Sequence, residues 1–291
     1  MRKVFFWTAT CFLLAAVGEL LLQARPFPIR PLNGLPISPQ VTNLPVVGTP
    51  IATPALLFVN TPTTVTVTVQ ITDSRLLPNG VNLLRLNANS TPSILGVMHD
   101  DGLSGDTVAK DNVYALQLNL NEAASGQVQL QVSAAFKGRL QRTLSTILSI
   151  PVWQLLSDSS MQVSFGYPPG WVSRLYGDVY TLSSTSTLPQ LEGDPGNELE
   201  VTTLPLDGAT STLDWLATYY SGMIDFSQKP PTAYTNPAGV QFLIVTSAPG
   251  ESSDNAVAYT LIGDHVLRVT VSPLSSFSTL FMTLLSSVRT L

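Results

Sequence analysis

The chain has 291 residues, of which 44% are hydrophobic and only 11% are charged, so it can bury the cores of two ordinary domains. This length and apolar content exclude disorder of the whole chain. The formal net charge is −5, and the Lys and Arg residues are scattered along the sequence. Binding to a nucleic-acid backbone requires clustered cations, so we predict no nucleic-acid partner.

Residues 1–24 have the layout of a secretory signal. Arg2 and Lys3 precede an apolar run over residues 4–17, and the small residues Ala16 and Gly18 fit a cleavage site. The alternative is an uncleaved signal anchor, because residues 4–22 are just long enough to cross a bilayer. Either way, we predict a secreted or extracytoplasmic protein that contacts a membrane only through this segment.

The only cysteine of the chain, Cys11, lies inside this apolar run. After cleavage, the exported part would contain no thiol. Disulfides, thiolate metal sites and cysteine nucleophiles are therefore excluded from the exported part.

Residues 25–54 form a Pro-rich linker, with seven prolines between residues 25 and 50. Proline fixes φ and lacks an amide donor, so this stretch predicts an extended stalk of the polyproline type. A disordered leader is the alternative.

Residues 55–152 show the alternation of half-buried strands. Val65, Val67, Val69 and Ile71 alternate with polar residues, and similar patterns occur over residues 114–120, 128–136 and 144–150. Turn residues at positions 78–80 and 124–126 separate these runs. Short, evenly spaced strands without helical periods between them predict an antiparallel β-sandwich.

An acidic loop over residues 99–114 interrupts this pattern with four carboxylates and two glycines. It reads Asp100-Asp101-Gly102, then Gly105-Asp106, then a segment from Lys110 to Tyr114. This order resembles the loop of bacterial immunoglobulin-like modules of cell-surface proteins, although Lys110 and Asn112 stand where that pattern more often has Gly. The resemblance implies an Ig-like sandwich over residues 55–152.

The acidic loop has two interpretations. Asp100, Asp101, Asp106 and Asp111 could supply hard oxygen ligands to calcium, which accepts irregular geometry, although their spacing is not that of an EF-hand. Alternatively, the aspartates bond backbone amides in Asx-turns, while Gly102 and Gly105 adopt positive φ. We expect the structural role and keep calcium as the alternative. We predict no other cofactor.

Residues 157–291 combine strands with two helices. Ser211 is a candidate N-cap with Asp214 three residues later, and the apolar positions of the first helix are Leu213, Leu216, Tyr220 and Met223. Pro273 opens the second helix, whose apolar positions are Phe277, Phe281, Leu284 and Val288. Strands are predicted over residues 161–167, 179–183, 199–204, 240–246, 256–262 and 265–271.

This order is similar to the PsbP and Mog1 type of α+β domain. The similarity rests on the segment from Phe165 to Trp171, on the paired strands around Gly263-Asp264 and on the terminal helix. It implies an antiparallel sheet with two helices and a non-catalytic accessory or binding role. The predicted fold class is therefore mainly β with α+β: an Ig-like β-sandwich followed by a PsbP/Mog1-like domain.

Familiar catalytic motifs are missing from the sequence. It contains only two histidines, His99 and His265, and no Gly-x-Ser-x-Gly elbow, so serine catalysis has no support. The two glycine motifs that bind nucleotide phosphates, Gly-x-x-x-x-Gly-Lys and Gly-x-Gly-x-x-Gly, do not occur in the sequence. We therefore predict that the protein is not an enzyme, with an enzyme of unrecognised type as the remote alternative.

Aromatic residues concentrate in the second half of the chain, where they could stack on sugars or line apolar pockets. Tyr219 and Tyr220 point about 100° apart on a helix, so at least one of them should leave the core. Together with Trp171, they are the candidate binding residues.

The predicted function is a non-catalytic exported binding or accessory protein of the bacterial cell envelope. Its partner would be a protein or a glycan of that envelope. The alternative is a calcium-stabilised surface adhesion or structural module.

Overall fold

The structure is a computed structural model that describes residues 44–87, 91–184, 199–251 and 253–291. The predicted signal segment over residues 1–24, with Cys11, lies outside the described residues. So does the predicted linker up to residue 43.

The described residues form a mainly β protein with several antiparallel sheets and two helices. None of the helices in these ranges is long and apolar enough to cross a membrane. The strands are β1 (Ile51–Thr53), β2 (Leu57–Phe58), β3 (Thr63–Gln70), β4 (Leu76–Leu86), β5 (Pro92–Val97), β6 (Val113–Leu120), β7 (Gly126–Phe136), β8 (Thr143–Leu144), β9 (Leu148–Asp158), β10 (Val163–Tyr167), β11 (Val172–Tyr176), β12 (Val179–Ser183), β13 (Leu199–Pro205), β14 (Thr232–Thr235), β15 (Gln241–Thr246), β16 (Ala256–Ile262), β17 (His265–Val271) and β18 (Arg289–Thr290). The helices are α1 (Thr212–Tyr219) and α2 (Leu274–Ser287).

Three sheets organise these strands. The first has the order β1-β3-β6, and the second has the order β18-β10-β9-β7-β4-β5, with β2 beside β9 and β8 beside β7. The third has the order β11-β12-β13-β17-β16-β15-β14. All strand pairs are antiparallel except the parallel pair of β2 and β9.

The first hydrophobic core lies between the first two sheets, in a sandwich-like arrangement. The predicted alternation of β3 is confirmed: Val65, Val67 and Val69 are buried, and the threonines between them are more exposed. They belong to one core cluster with Leu130 and Val132 of β7. Because side chains alternate across a strand, burial of one face fixes the register of the sheet.

The predicted turn at residues 78–80 is wrong. Pro78, Asn79 and Gly80 lie inside β4, where the pairing with β7 shifts between Leu76 and Val81. Asn79 has φ of 53°, so the strand continues past an irregularity. Turn-forming residues mark such bulges as well as chain reversals.

Strand β9 contributes to two cores. Ile150 and Val152 belong to the sandwich core, whereas the next residue, Trp153, belongs to a second core with Phe165 of β10. The second sheet is thus continuous from one core to the other. The predicted division into domains at residues 152–157 stays a prediction.

The end of β9 is also bonded to the third sheet. Tyr180 of β12 donates its hydroxyl to Asp158 at 2.7 Å, and Ser160 donates to the same carboxylate. The bonds from Ser160 and Tyr180 lower the pKa of Asp158 to about 2. Burial and the bond to Asp158 raise the pKa of Tyr180 to about 12.

The central strands of the third sheet are buried on both faces. Along β16, Ala256 and Ala258 face the second core and helix α2, whereas Val257 and Tyr259 face helix α1. This period of two places one helix on each face of the sheet.

The start of α1 is confirmed, but its predicted apolar face is partly wrong. Ser211 is the N-cap and accepts a hydrogen bond from the Asp214 amide at 3.1 Å. The buried helical residues are Trp215 and Leu216, whereas Leu213 is 49% exposed. Met223, predicted as a fourth apolar position, lies beyond the helix and is 65% exposed.

Helix α2 follows the prediction more closely. Pro273 is its N-cap, and Phe281 and Leu284 are buried in the second core with Val288, which caps the end of the helix. Phe277 is packed against that core, although its backbone departs from helical geometry at φ of −122°. The periodicity predicted this face because a helix of this length buries a continuous apolar stripe.

Candidate functional site

The acidic loop lies between β5 and β6, at one end of the sandwich. Its first residue, His99, pairs with Ala115 of β6 through backbone hydrogen bonds of 2.8 and 2.9 Å. The loop therefore leaves and re-enters the sheets at fixed points.

The loop carboxylates bond backbone amides, as expected for the structural interpretation. Asp100 accepts hydrogen bonds from the amides of Lys110, Asp111 and Asn112, at 2.5, 3.1 and 2.9 Å. One side chain thus holds a whole turn of backbone on the far side of the loop. Such bonds satisfy amides that a sheet would otherwise pair.

The other three aspartates accept hydrogen bonds from amides that are closer to them in sequence. Asp101 accepts from Leu103 at 2.9 Å, and Asp111 accepts from Val113 at 2.9 Å, both in Asx-turn spacing. Asp106 is almost buried and accepts from Gly102 at 2.6 Å and from Val108 at 3.2 Å. The bond from Gly102 is the largest of the effects that lower the pKa of Asp106.

Backbone angles in the loop also agree with the structural interpretation. Gly102 and Gly105 have φ of 77° and 100°, as predicted. Lys110 and Asn112 have φ of 65° and 68°, so both adopt the left-handed conformation that favours Gly. They are the two positions at which the related loop pattern more often has Gly.

Three of the four predicted metal ligands converge. Carboxylate oxygens of Asp100, Asp106 and Asp111 lie within 4.8 Å of one another. Asp101 is not part of this group. Three like charges at this distance repel, and both amide donors and a cation can offset that repulsion.

A cleft of about 460 Å³ borders the acidic loop. The start of β4 and Met98 form its apolar part, and Asp100, Lys110 and Tyr114 contribute polar groups. Burial, and then the nearby Asp100 carboxylate, raise the pKa of Tyr114. The cleft thus presents charges of both signs to solvent.

The two candidate tyrosines, Tyr219 at the end of α1 and Tyr220 at its C-cap, differ in burial. Tyr219 is 46% exposed, whereas Tyr220 is buried. The ring of Tyr219 stacks on Trp215 at a centroid distance of 4.5 Å and an interplanar angle of 16°. It also meets the ring of Tyr220 edge-on at 4.9 Å. Tyr219 is therefore an exposed ring held in a fixed orientation.

Tyr220 has a structural role inside the core. Its hydroxyl lies 2.6 Å from the hydroxyl of Tyr259, which is fully buried in β16. Burial is the largest cause of the raised pKa values of both phenols. The pair satisfies two polar groups inside a core, as buried hydroxyls require.

Trp171, the third candidate binding residue, packs against the second core. Its ring meets that of Phe277 edge-on at 5.8 Å and 89°. The residue is half-buried.

A second cleft, of about 140 Å³, lies beside Tyr219. We name it the Tyr219 cleft. The residues that line it are Leu206, Asp207, Gly208, Ala209, Asp214, Trp215, Thr218 and Tyr219.

Trp215 and Asp207 were not predicted as site residues. Trp215 and Tyr219 are four residues apart on α1, a spacing that brings side chains together on a helix. That spacing was a usable signal for the stacked pair. The position of Asp207 depends on the fold of the turn before the helix, so no comparable signal existed.

His265 is engaged in the hairpin between β16 and β17. Its Nδ1 lies 3.2 Å from Asp264, and its Nε2 lies 2.9 Å from the carbonyl oxygen of Met161. Both ring nitrogens thus have partners at this turn.

Comparison with known proteins adds no family to these observations. No protein-family model matches the chain, and no curated protein matches it. The two clefts and the side chains around them supply the chemistry from which function can be inferred.

Proposed function

We propose that the chain is a non-catalytic exported binding protein of the bacterial cell envelope, which recognises a protein or glycan partner through Tyr219. One observation supports this most strongly: the exposed Tyr219 ring, which is among the residues that line a small cleft, is stacked on the buried Trp215. A ring that already packs against its neighbours has less conformational entropy to lose on binding.

Export is the second part of this proposal. It rests on the signal-like residues 1–24, which either are cleaved or tether the protein to the membrane. The low charge content and the absence of cysteine after residue 11 are in keeping with an extracytoplasmic location.

The proposal extends to the fold families of the two halves. The sandwich-like sheets and the left-handed angles of Lys110 and Asn112 support an Ig-like module over residues 55–152. The hairpin at Gly263 and a terminal helix packed on an antiparallel sheet support a PsbP/Mog1-like domain over residues 157–291.

Co-sedimentation with isolated bacterial envelope tests the proposed function. We expect the full chain to co-sediment and Tyr219→Ser to lose most of its retention, whereas Tyr219→Phe keeps the ring and is retained like the wild type. Tyr176→Ser is the matched control, because Tyr176 is 54% exposed and lies on β11, away from the Tyr219 cleft. Equal retention of the wild type and Tyr219→Ser, with both folded by circular dichroism, would contradict the proposal.

A calcium-stabilised surface module is the second candidate function. The observation that favours it is the convergence of Asp100, Asp106 and Asp111 within 4.8 Å. Calcium accepts six to eight oxygens, so these carboxylates would supply part of a coordination shell.

Thermal unfolding with calcium or EDTA separates the two candidates. If the loop only bonds amides, neither reagent changes the melting temperature. If it binds calcium, millimolar calcium raises the melting temperature of the wild type, since a ligand that binds only the folded state stabilises it. Asp111→Asn would then abolish the increase, whereas Asp178→Asn, at an exposed position outside the loop, would keep it.

A further inference from the structure

We propose that the Tyr219 cleft binds a primary alkylammonium group, the chemistry found at the end of a Lys side chain. This inference rests on the proposed binding function and adds the chemical class of the ligand. Its support comes from the charge, the hydrogen bonding, the aromatic wall and the size of the cleft.

The charge of the cleft is negative. Asp207 and Asp214 are among the eight residues that line it, and none of the eight is Lys, Arg or His. Asp214 lies in the first turn of α1, where the partial positive charge of the helix N-terminus offsets a carboxylate. The unbalanced charge is therefore that of Asp207, which disfavours anionic ligands and favours a cation.

The hydrogen bonding of the cleft favours a ligand that donates hydrogen bonds as well as carrying a positive charge. Asp214 accepts from the amide of Thr210 at 3.1 Å, and the hydroxyl of Thr218 donates to the carbonyl oxygen of Asp214 at 3.2 Å. Asp207 is exposed, and no donor among the described residues bonds its carboxylate, so this group is accessible to a ligand from solvent. A primary ammonium group has three N–H donors and can bond it, whereas a quaternary ammonium group has none.

The aromatic wall also suits a cation. The face of an aromatic ring attracts ammonium groups, with Trp and Tyr among the effective rings. The Tyr219 ring is stacked on Trp215 and makes an edge-to-face contact with Tyr220, and these two contacts constrain its orientation before a ligand binds.

The size of the cleft limits the ligand to a small group. Its volume of about 140 Å³ is well below the ~300 Å³ at which pockets begin to enclose drug-sized ligands. The end of a Lys side chain fits this limit, with the rest of its protein outside the cleft.

Titration of the full chain with n-butylammonium, followed by NMR shifts of the Tyr219 ring, tests this inference. We expect saturable shifts, weaker binding at high salt, and no comparable shifts with the neutral 1-butanol. We expect Asp207→Asn to weaken binding on the order of tenfold, because it removes a charge-assisted hydrogen bond. Asp178→Asn removes the same charge from an exposed site elsewhere and should leave binding unchanged.

The following results would overturn the inference. They are no saturable shift with n-butylammonium, equal shifts with 1-butanol, and binding by Asp207→Asn equal to that of the wild type. Choline, a quaternary ammonium, should bind more weakly than n-butylammonium; stronger binding would assign the cleft to quaternary head groups. If envelope retention depends on Tyr219 but n-butylammonium does not bind, only the ligand class is wrong.

Discussion

Replacing Trp215 with Ala should lower the free energy of unfolding by about 3–5 kcal/mol, the usual cost of removing a large buried aromatic side chain. Trp215 is only 4% exposed and lies in the core between α1 and the third sheet. Its indole N–H also donates to the carbonyl oxygen of Pro205 at 2.9 Å. For a chain of this size, the melting temperature should fall on the order of 10 °C.

Leu213→Ala is the control for this prediction, because Leu213 belongs to the same helix and is exposed. We expect it to change stability by no more than about 0.5 kcal/mol. Urea unfolding followed by circular dichroism measures both variants. A larger loss for Leu213→Ala than for Trp215→Ala would show that α1 buries the face predicted from its sequence and not the face described above.

Replacing Gly166 with Ala should destabilise the junction of the two cores by about 1–3 kcal/mol, the usual cost of overpacking. A Cβ atom at Gly166 would clash with the Phe58 ring and would lie 3.3 Å from the Trp153 ring. Gly166 pairs with Leu155 of β9 in the sheet that both cores share. The added methyl group would therefore force Phe58 of β2 out of its place.

A second substitution at Phe58 provides the decisive comparison. Phe58→Leu removes the ring atoms that the new methyl group would meet. In the Phe58→Leu background, Gly166→Ala should therefore lower the free energy of unfolding by less than about 1 kcal/mol. The difference between its costs in the two backgrounds is the coupling energy expected of residues in contact. Additive losses in the double variant, measured by urea unfolding, would contradict the close approach of β2 and β10.

Local pattern was enough to predict the strands that bury one face. Val65, Val67 and Val69 were assigned correctly because period-two burial is a property of the strand itself. Strand β4 was missed because Pro78 and Gly80 are turn residues. Its pairing with β7 is interrupted between Leu76 and Val81 and resumes at Val81, which no local pattern predicts.

The buried face of α1 shows where helical periodicity was insufficient. The predicted positions extended to Met223, but helical geometry ends at Tyr219, with Gly222 at φ of 77° soon after. Over only eight residues, several apolar faces fit the same pattern, and contact with Tyr259 selects the one that contains Trp215. The third sheet, not the helix, makes that selection.

The acidic loop was predictable in its chemistry but not in its full geometry. Asx-turns and positive φ at Gly102 and Gly105 follow from residue type, and the structure confirms them. The bonds from Lys110, Asp111 and Asn112 to Asp100 span ten to twelve residues, so they depend on how the loop closes.

Tyr219, stacked on Trp215, is the proposed recognition surface of this protein. The most direct measurement is the fraction of Tyr219→Ser retained on isolated envelope, relative to the fraction of Tyr176→Ser retained in the same experiment. We expect Tyr219→Ser to be retained far less than Tyr176→Ser, which should match the wild type. Equal retention of the two variants would contradict it.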